Sequence, residues 1–243
     1  MKNQVIIIGL LSLIPGITHA ERSITFGIES FEWQEPIFPL TESGNRYSIG
    51  ITSGNLLSST KGYLHEYSAS IYEGTIDYDG GIQNNDGTSS RLKAETKYSG
   101  LKGEAKLAYR EGKFDYVGAI GIDKWSRDIG NSKIESGYEE IFTQPYIKLG
   151  IGYLHRTGAA IGRFEAGFKH PFNVTEEISR FDTELEPKGT DSVYIQYRYQ
   201  SNRKWGVTVY SEKTHFEKSD AVNGIHQPES KADALGAKIH YSF

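Results

Sequence analysis

The stretch that most constrains this chain is its last, Asp233–Phe243, reading DALGAKIHYSF. Leu235, Ala237, Ile239, Tyr241 and Phe243 fall on one face of an extended strand, and Gly236, Lys238, His240 and Ser242 on the other. A period of two with one apolar face marks a strand half immersed in an apolar medium. The alternation runs to a terminal aromatic, in a position where soluble chains are usually loose.

The same period recurs along the chain. Arg22–Trp33 sets Ile24, Phe26 and Ile28 against Thr25, Gly27 and Glu29. Arg46–Ser53, Lys61–Ile76, Arg91–Arg110, a stretch from Phe114 to Asp123, Ile141–Tyr153, a stretch from Ala160 to Lys169, Val193–Tyr199 and Trp205–Glu212 follow suit. With the closing stretch this makes ten strands. Tight connections at 55–60, 111–113, 154–158 and 201–203 alternate with longer ones at 34–45, 77–90, 126–139, 171–191 and 215–231, where turn formers gather. The apolar parity changes inside Arg91–Arg110: Leu92, Ala94, Thr96 and Tyr98 share one face, and Leu101, Gly103, Ala105, Leu107 and Tyr109 the other. A β-bulge at Ser99-Gly100 would produce that change, and a tight turn there is the alternative. Pro145 deletes a ladder donor in its strand.

Residues 1–20 carry Lys2, an apolar run over Val5–Leu13, and the small-residue exit Thr18-His19-Ala20. This predicts a secretory signal peptide cleaved before Glu21, leaving 21–243 as one domain. The apolar run is too short for a spanning helix. Without residues 1–20 the chain has 223 residues, with 26 basic and 31 acidic groups. That balance argues against nucleic acid. The absence of Cys excludes a disulfide-stapled scaffold, and 27 Gly with 16 Tyr suits a barrel wall. Low mean hydropathy agrees, since half of each wall strand would face a polar lumen.

The closing stretch resembles the last strand of bacterial outer-membrane barrels, in which a C-terminal aromatic and alternating apolar residues mark the chain for insertion. The long–short rhythm of connections resembles the same proteins over the whole of residues 21–243. The resemblance implies an all-β, antiparallel transmembrane barrel of ten strands, with short periplasmic turns, longer extracellular loops and both termini periplasmic. It also implies outer-membrane lipid, lipopolysaccharide and the barrel-assembly machinery as partners, and no cofactor. Eight strands remain the alternative should Arg22–Trp33 or Arg46–Ser53 not span. A soluble sandwich or lipocalin-like barrel would alternate too, but with its apolar face inward.

If the apolar face meets lipid, the other face lines the interior. It collects Glu29, Glu66, Lys102, Glu104, Lys106, Arg110, Asp115, Asp123, Lys148, Arg163, Glu165, Lys169, Arg198, Glu212, Lys238 and His240. Isolated charges there would be costly, so they should pair. One reading is a cross-linked polar core of a structural or surface-binding barrel. The other is a narrow porin-like path for a small solute, with the charges setting selectivity.

Enzyme motifs are scarce. GxSxG, HExxH, the P-loop and Cys ligand sets are absent, and the six His beyond residue 20 lie far apart in sequence, which gives no metal site. Asp77 and Asp79 at the top of one strand and His215 at the top of another resemble the rim carboxylates and histidine of the omptin proteases. No Asp-x-His sequence occurs, since Lys213 stands two before His215. A lipid-modifying hydrolase would need a Ser–His pair at the lipid interface, and Ser is too common here to single one out.

Overall fold

The computed structural model describes residues 21–36, 40–83, 89–130, 137–201 and 204–243, so the signal-peptide expectation for 1–20 lies outside the described residues. Its strands are β1 (Glu21–Glu35), β2 (Leu40–Gly54), β3 (Gly62–Gln83), β4 (Ser89–Glu111), β5 (Phe114–Ile129), β6 (Tyr138–Thr157), β7 (Ala160–Pro171), β8 (Thr175–Ile178), β9 (Thr183–Leu185), β10 (Lys188–Thr190), β11 (Ser192–Ser201), β12 (Trp205–Glu217) and β13 (Ser230–Ser242). Ten of them, β1–β7 and β11–β13, pair antiparallel with their neighbours in chain order. The ring closes where β1 meets β13, from Ser23 opposite Ser242 to Gln34 opposite Lys231. Closure leaves the ten-stranded ring without a free edge, which a wall in lipid requires. β1 and β2 pair along their full lengths, so the count is ten and not eight.

The wall is inside out relative to a soluble barrel. Leu149, Phe168 and Leu235 are 63%, 61% and 65% exposed, while Asp115, Glu165 and Arg110 inside are 0–1% exposed. Those outward side chains form a belt with Phe26, Ile49, Ile71, Ile120 and Val207. At the end that carries Glu21 and Phe243, the belt finishes in aromatic pairs. Tyr63 packs on Tyr109 at 5.2 Å, Phe114 on Tyr153 at 5.3 Å and Trp205 on Tyr241 at 4.8 Å. Such a girdle is what a bilayer interface selects.

The expected bulge at Ser99-Gly100 is absent. Ser99 pairs with Glu73 and Gly100 with Tyr72 in unbroken register, and β5 is equally continuous on the other side. The change of parity has another cause. Below Gly100 the outside is lipid and the inside is charged; above it the outside is water and the inside is built on a layer of aromatic side chains. Tyr98 therefore points inward with Lys102, and Leu101 points out. β1 makes the same switch between Ile28, exposed, and Phe31 and Trp33, buried.

The long connections are also shorter than the turn formers suggest. β1 runs to Glu35 and β2 starts at Leu40; β3 and β4 continue to Gln83 and from Ser89; β5 ends at Ile129, β6 begins at Tyr138, and β13 begins at Ser230. The strands carry the barrel past the membrane because an inward apolar layer holds the extension together. Within 171–191, β8 pairs with β6 and β10 with β12, rebuilding the wall above the point where β7 and β11 stop. Pro145 sits at that split. The carbonyl of Pro145 accepts the Phe172 N–H at 3.0 Å. In an antiparallel ladder the N–H and C=O of a residue face the same neighbour, so its missing donor falls where β7 leaves the wall.

Tyr and Gly are abundant for a related reason. Inward Tyr72, Tyr146 and Tyr210 lie flat over Gly100, Gly121 and Gly236 on the neighbouring strands, where any Cβ would collide with the ring. Glycine leaves room for a tyrosine to bend across the bore.

Candidate functional site

The interior has three levels. At the end with the short turns, residues 55–61 fold into the mouth. Leu56 and Leu57 are each 3% exposed, and Leu56 packs with Leu64, Ala108 and Val117. Asn55 fixes the turn: its Oδ1 accepts the His65 N–H at 2.8 Å. Arg110 ties the turn to the wall, donating to Ser59 O at 2.5 Å and Leu56 O at 2.9 Å.

The middle level holds all sixteen side chains expected inside, and most join one continuous network. Arg110 grips Asp115 through two bonds, at 2.5 and 2.8 Å. Arg163 Nε reaches the same carboxylate at 2.7 Å and its Nη1 bonds Glu165. Lys106 joins Glu165 at 3.0 Å and Glu104 at 3.7 Å, and Lys148 bridges Glu104 at 3.0 Å to Glu212 at 2.8 Å. Glu212 also takes Lys102 and Lys169, each at 2.8 Å. Lys102 continues to Asp123 at 3.9 Å, whose carboxylate accepts the Tyr72 hydroxyl at 2.8 Å. Glu66 pairs with Arg198 at 2.6 Å, and His240 Nε2 meets the Thr208 hydroxyl at 2.7 Å. Glu29 pairs with Arg46 at 2.5 Å and accepts the Tyr210 hydroxyl at 2.6 Å. Arg46 is a lumen residue that the sequence reading missed, because it opens a strand directly after a presumed loop. Two water-accessible spaces of about 70 and about 120 Å³ remain at this level.

The third level is an apolar stopper. Trp125 stacks on Phe142 at 4.9 Å, and Trp33 lies 5.5 Å from Phe142 and 5.9 Å from Phe216. Phe31, Ile76, Tyr98 and Val174 complete it. The Arg46 guanidinium, 3.7 Å from the Phe31 ring centre, marks the boundary with the charged level.

Above the membrane belt, beside this stopper, three carboxylates surround one guanidinium, and a fourth, Glu176, is buried in the same layer. Arg127 lies 3.0 Å from Glu42, 2.6 Å from Glu140 and 3.6 Å from Glu35. Glu42 also accepts the Thr96 hydroxyl at 2.8 Å and the Tyr98 hydroxyl, and Glu35 accepts Trp33 Nε1–H at 2.9 Å. Glu176 is fully buried, with the Gln227 amide at 3.0 and 3.1 Å from its two oxygens. Burial pushes the Glu176 carboxyl well above the ordinary range, helped by Glu140 and Glu35. Burial raises Glu140 too, against the pull of Arg127. Nearby, burial drives the Tyr78 hydroxyl up to about 12. Every member of this cluster lies in a segment whose turn formers read as loop, or at the end of one.

The omptin-like residues do not converge. Asp77 and Asp79 sit on the outer face of β3, where Arg91 Nε donates to Asp79 at 2.6 Å. His215 faces outward on β12 and meets Glu229 at 3.1 Å. Three strands stand between β3 and β12, about 19 Å around the wall at ~4.8 Å per strand. Among the described residues no group of three or more His, Asp or Glu is placed to hold a metal ion.

No known family model matches the chain. No curated protein matches it in sequence. Among solved structures, the β domain of the Bordetella autotransporter BrkA superposes with a TM-score of 0.53 at 11% identity, over 93% of this chain and 100% of that one. The fold is that of an integral outer-membrane barrel. Glu21 and Phe243 then lie at its periplasmic mouth, and the stopper and carboxylate cluster at its extracellular end. The outer-membrane protease OmpT of Escherichia coli is similar at a TM-score of 0.48 and 13% identity, over 92% and 96% of the two chains. The translocator domain of the autotransporter NalP from Neisseria meningitidis gives 0.43 and 10%, over 91% and 88%.

Proposed function

We propose that this protein is a closed, non-conducting surface barrel of the outer membrane, whose extracellular extension is the working part and whose charged lumen is a structural core. The observation that carries this reading is that both mouths of the bore are filled, by Leu56 and Leu57 below and by Trp33, Trp125, Phe142 and Phe216 above. Between the stoppers the inward charges bond to one another across the bore instead of lining a free path. In this reading Leu235, Ala237, Ile239, Tyr241 and Phe243 serve as the insertion signal read by the barrel-assembly machinery. The outer face is coated by lipid and lipopolysaccharide, and the extension above the membrane offers a surface for a ligand.

Reconstitution in planar lipid bilayers tests it. The folded, heat-modifiable protein gives no discrete current steps under an applied voltage. Reproducible steps from the unmodified protein would overturn closure and favour a narrow channel through the two mid-bore spaces. Cleavage of peptides or lipids that survives in the protein purified from detergent, and is lost on D79N or H215A, would instead favour a rim hydrolase.

A further inference from the structure

We infer that the mid-bore space beside Lys238 binds a small inorganic anion of halide size. The argument begins with charge. At the middle level of the bore, with Arg46 included, the inward basic residues number nine, against seven inward acids. The surplus is local. Lys102, Lys148 and Lys169 converge on Glu212, with Glu104 beside Lys148 and Asp123 3.9 Å from Lys102, and Lys169 has no second carboxylate partner among the described residues. Lys238 makes no ion pair among the described residues; its ammonium lies 5.0 Å from the centre of the Tyr210 ring. A cation enclosed by a wall in lipid, without a counter-charge, is strongly disfavoured.

The space beside it has the right donors. Lys238, Lys102 and Lys169 line the same pocket of about 70 Å³, and so do Ser48 and Ser70. Three carboxylates line the same pocket, and each is committed: Glu29 to Arg46 and Tyr210, Asp123 to Tyr72 and Lys102, and Glu212 to its three lysines. Ser48 and Ser70, in contrast, make no hydrogen bond to protein among the described residues, so both hydroxyls are free to donate. One ammonium without an ion pair, two more already shared with Glu212, and two free hydroxyls around a space that holds only a few waters suit a compact anion. A bulky organic acid would not fit. The site does not depend on whether the barrel conducts, because it concerns the charge balance of one pocket.

Crystals of the full barrel refolded and grown in bromide test this at the bromine absorption edge. The expected result is an anomalous peak in the pocket within contact of Lys238 Nζ, lost in K238M and weakened in S70A. In solution, the midpoint of heat modification is higher in chloride than in gluconate, and K238M removes that difference. No peak in the pocket of the unmodified protein, which would mean a neutral Lys238 or water alone, overturns the inference. So does a peak that K238M leaves unchanged. Should K238M fail to fold, K238Q and S70A carry the same comparison.

Discussion

Lys102 on β4 and Glu212 on β12 meet at 2.8 Å although their strands are five places apart in either direction around the ring. They bridge the bore at its widest. The same carboxylate holds Lys148 of β6 and Lys169 of β7, so one side chain of β12 is fastened to three other strands of the wall. Removing it leaves Lys169 without a carboxylate and takes the shorter or second partner from Lys102 and Lys148, in a space sealed by lipid. E212A should therefore destabilise the barrel by about 3–5 kcal/mol, while K102M, which leaves Glu212 two partners, should cost clearly less. Urea unfolding of the refolded protein, followed by tryptophan fluorescence, reads both.

The periplasmic stopper calls for a separate test. Leu56 is buried among Leu64, Ala108 and Val117, and truncating such a leucine costs about 2–5 kcal/mol. L56A should lower stability in that range yet leave the barrel silent in a bilayer, since the aromatic stopper still fills the other mouth. Current should appear only when L56A and L57A are combined with loss of the upper packing, as in F142A. Conductance from L56A alone would show that the aromatic layer does not seal.

The spanning half of the molecule was legible because one rule governs it: lipid outside and charge inside, at a period of two. Phe26, Ile120 and Leu235 faced one way, and Glu29, Asp115 and Lys238 the other, and the structure keeps each on its side. The extracellular half was not legible, since the rule inverts there. Phe31 and Trp33 against Ile28, Trp125 against Ile122, and Tyr98 against Leu101 all change parity. Seen in one strand, the change mimics a bulge; seen at the same height in several strands, it signals that the surroundings change from lipid to water. Glu42, Arg127, Glu140 and Glu176 were hidden for the same reason, among prolines, glycines and polar residues whose turn propensity is overridden by packing on the aromatic layer.

The buried carboxylates set a direction for pH. Glu140 and Glu176 have raised values in the folded protein, so between their ordinary 4.5 and the raised values the folded state binds more protons than the unfolded one. Stability of the extracellular extension is then fully present below the ordinary range, falls as pH rises through the raised values, and levels off above them. Hydrogen exchange of amides in 172–185 should accelerate with pH beyond the intrinsic chemical rate. E176Q, neutral at every pH, should reduce that excess. An excess that E176Q and E140Q leave intact would place the sensitivity elsewhere.

Phe243 separates assembly from stability. Its ring is 71% exposed on the outer face, and its N–H donates to Arg22 O at 3.0 Å, a bond that depends on the backbone alone. F243A therefore removes a side chain that faces lipid while keeping the β1–β13 seam. Once folded, the variant should lie within about 1 kcal/mol of the unmodified protein, because few packing contacts are lost. Delivery should behave differently if the terminal aromatic is read during insertion. The fraction of heat-modifiable barrel in outer-membrane preparations should then drop severalfold, with unfolded chain accumulating in the periplasm. Normal delivery of F243A would remove the closing residue from the insertion signal and leave it only as one more side chain in the belt.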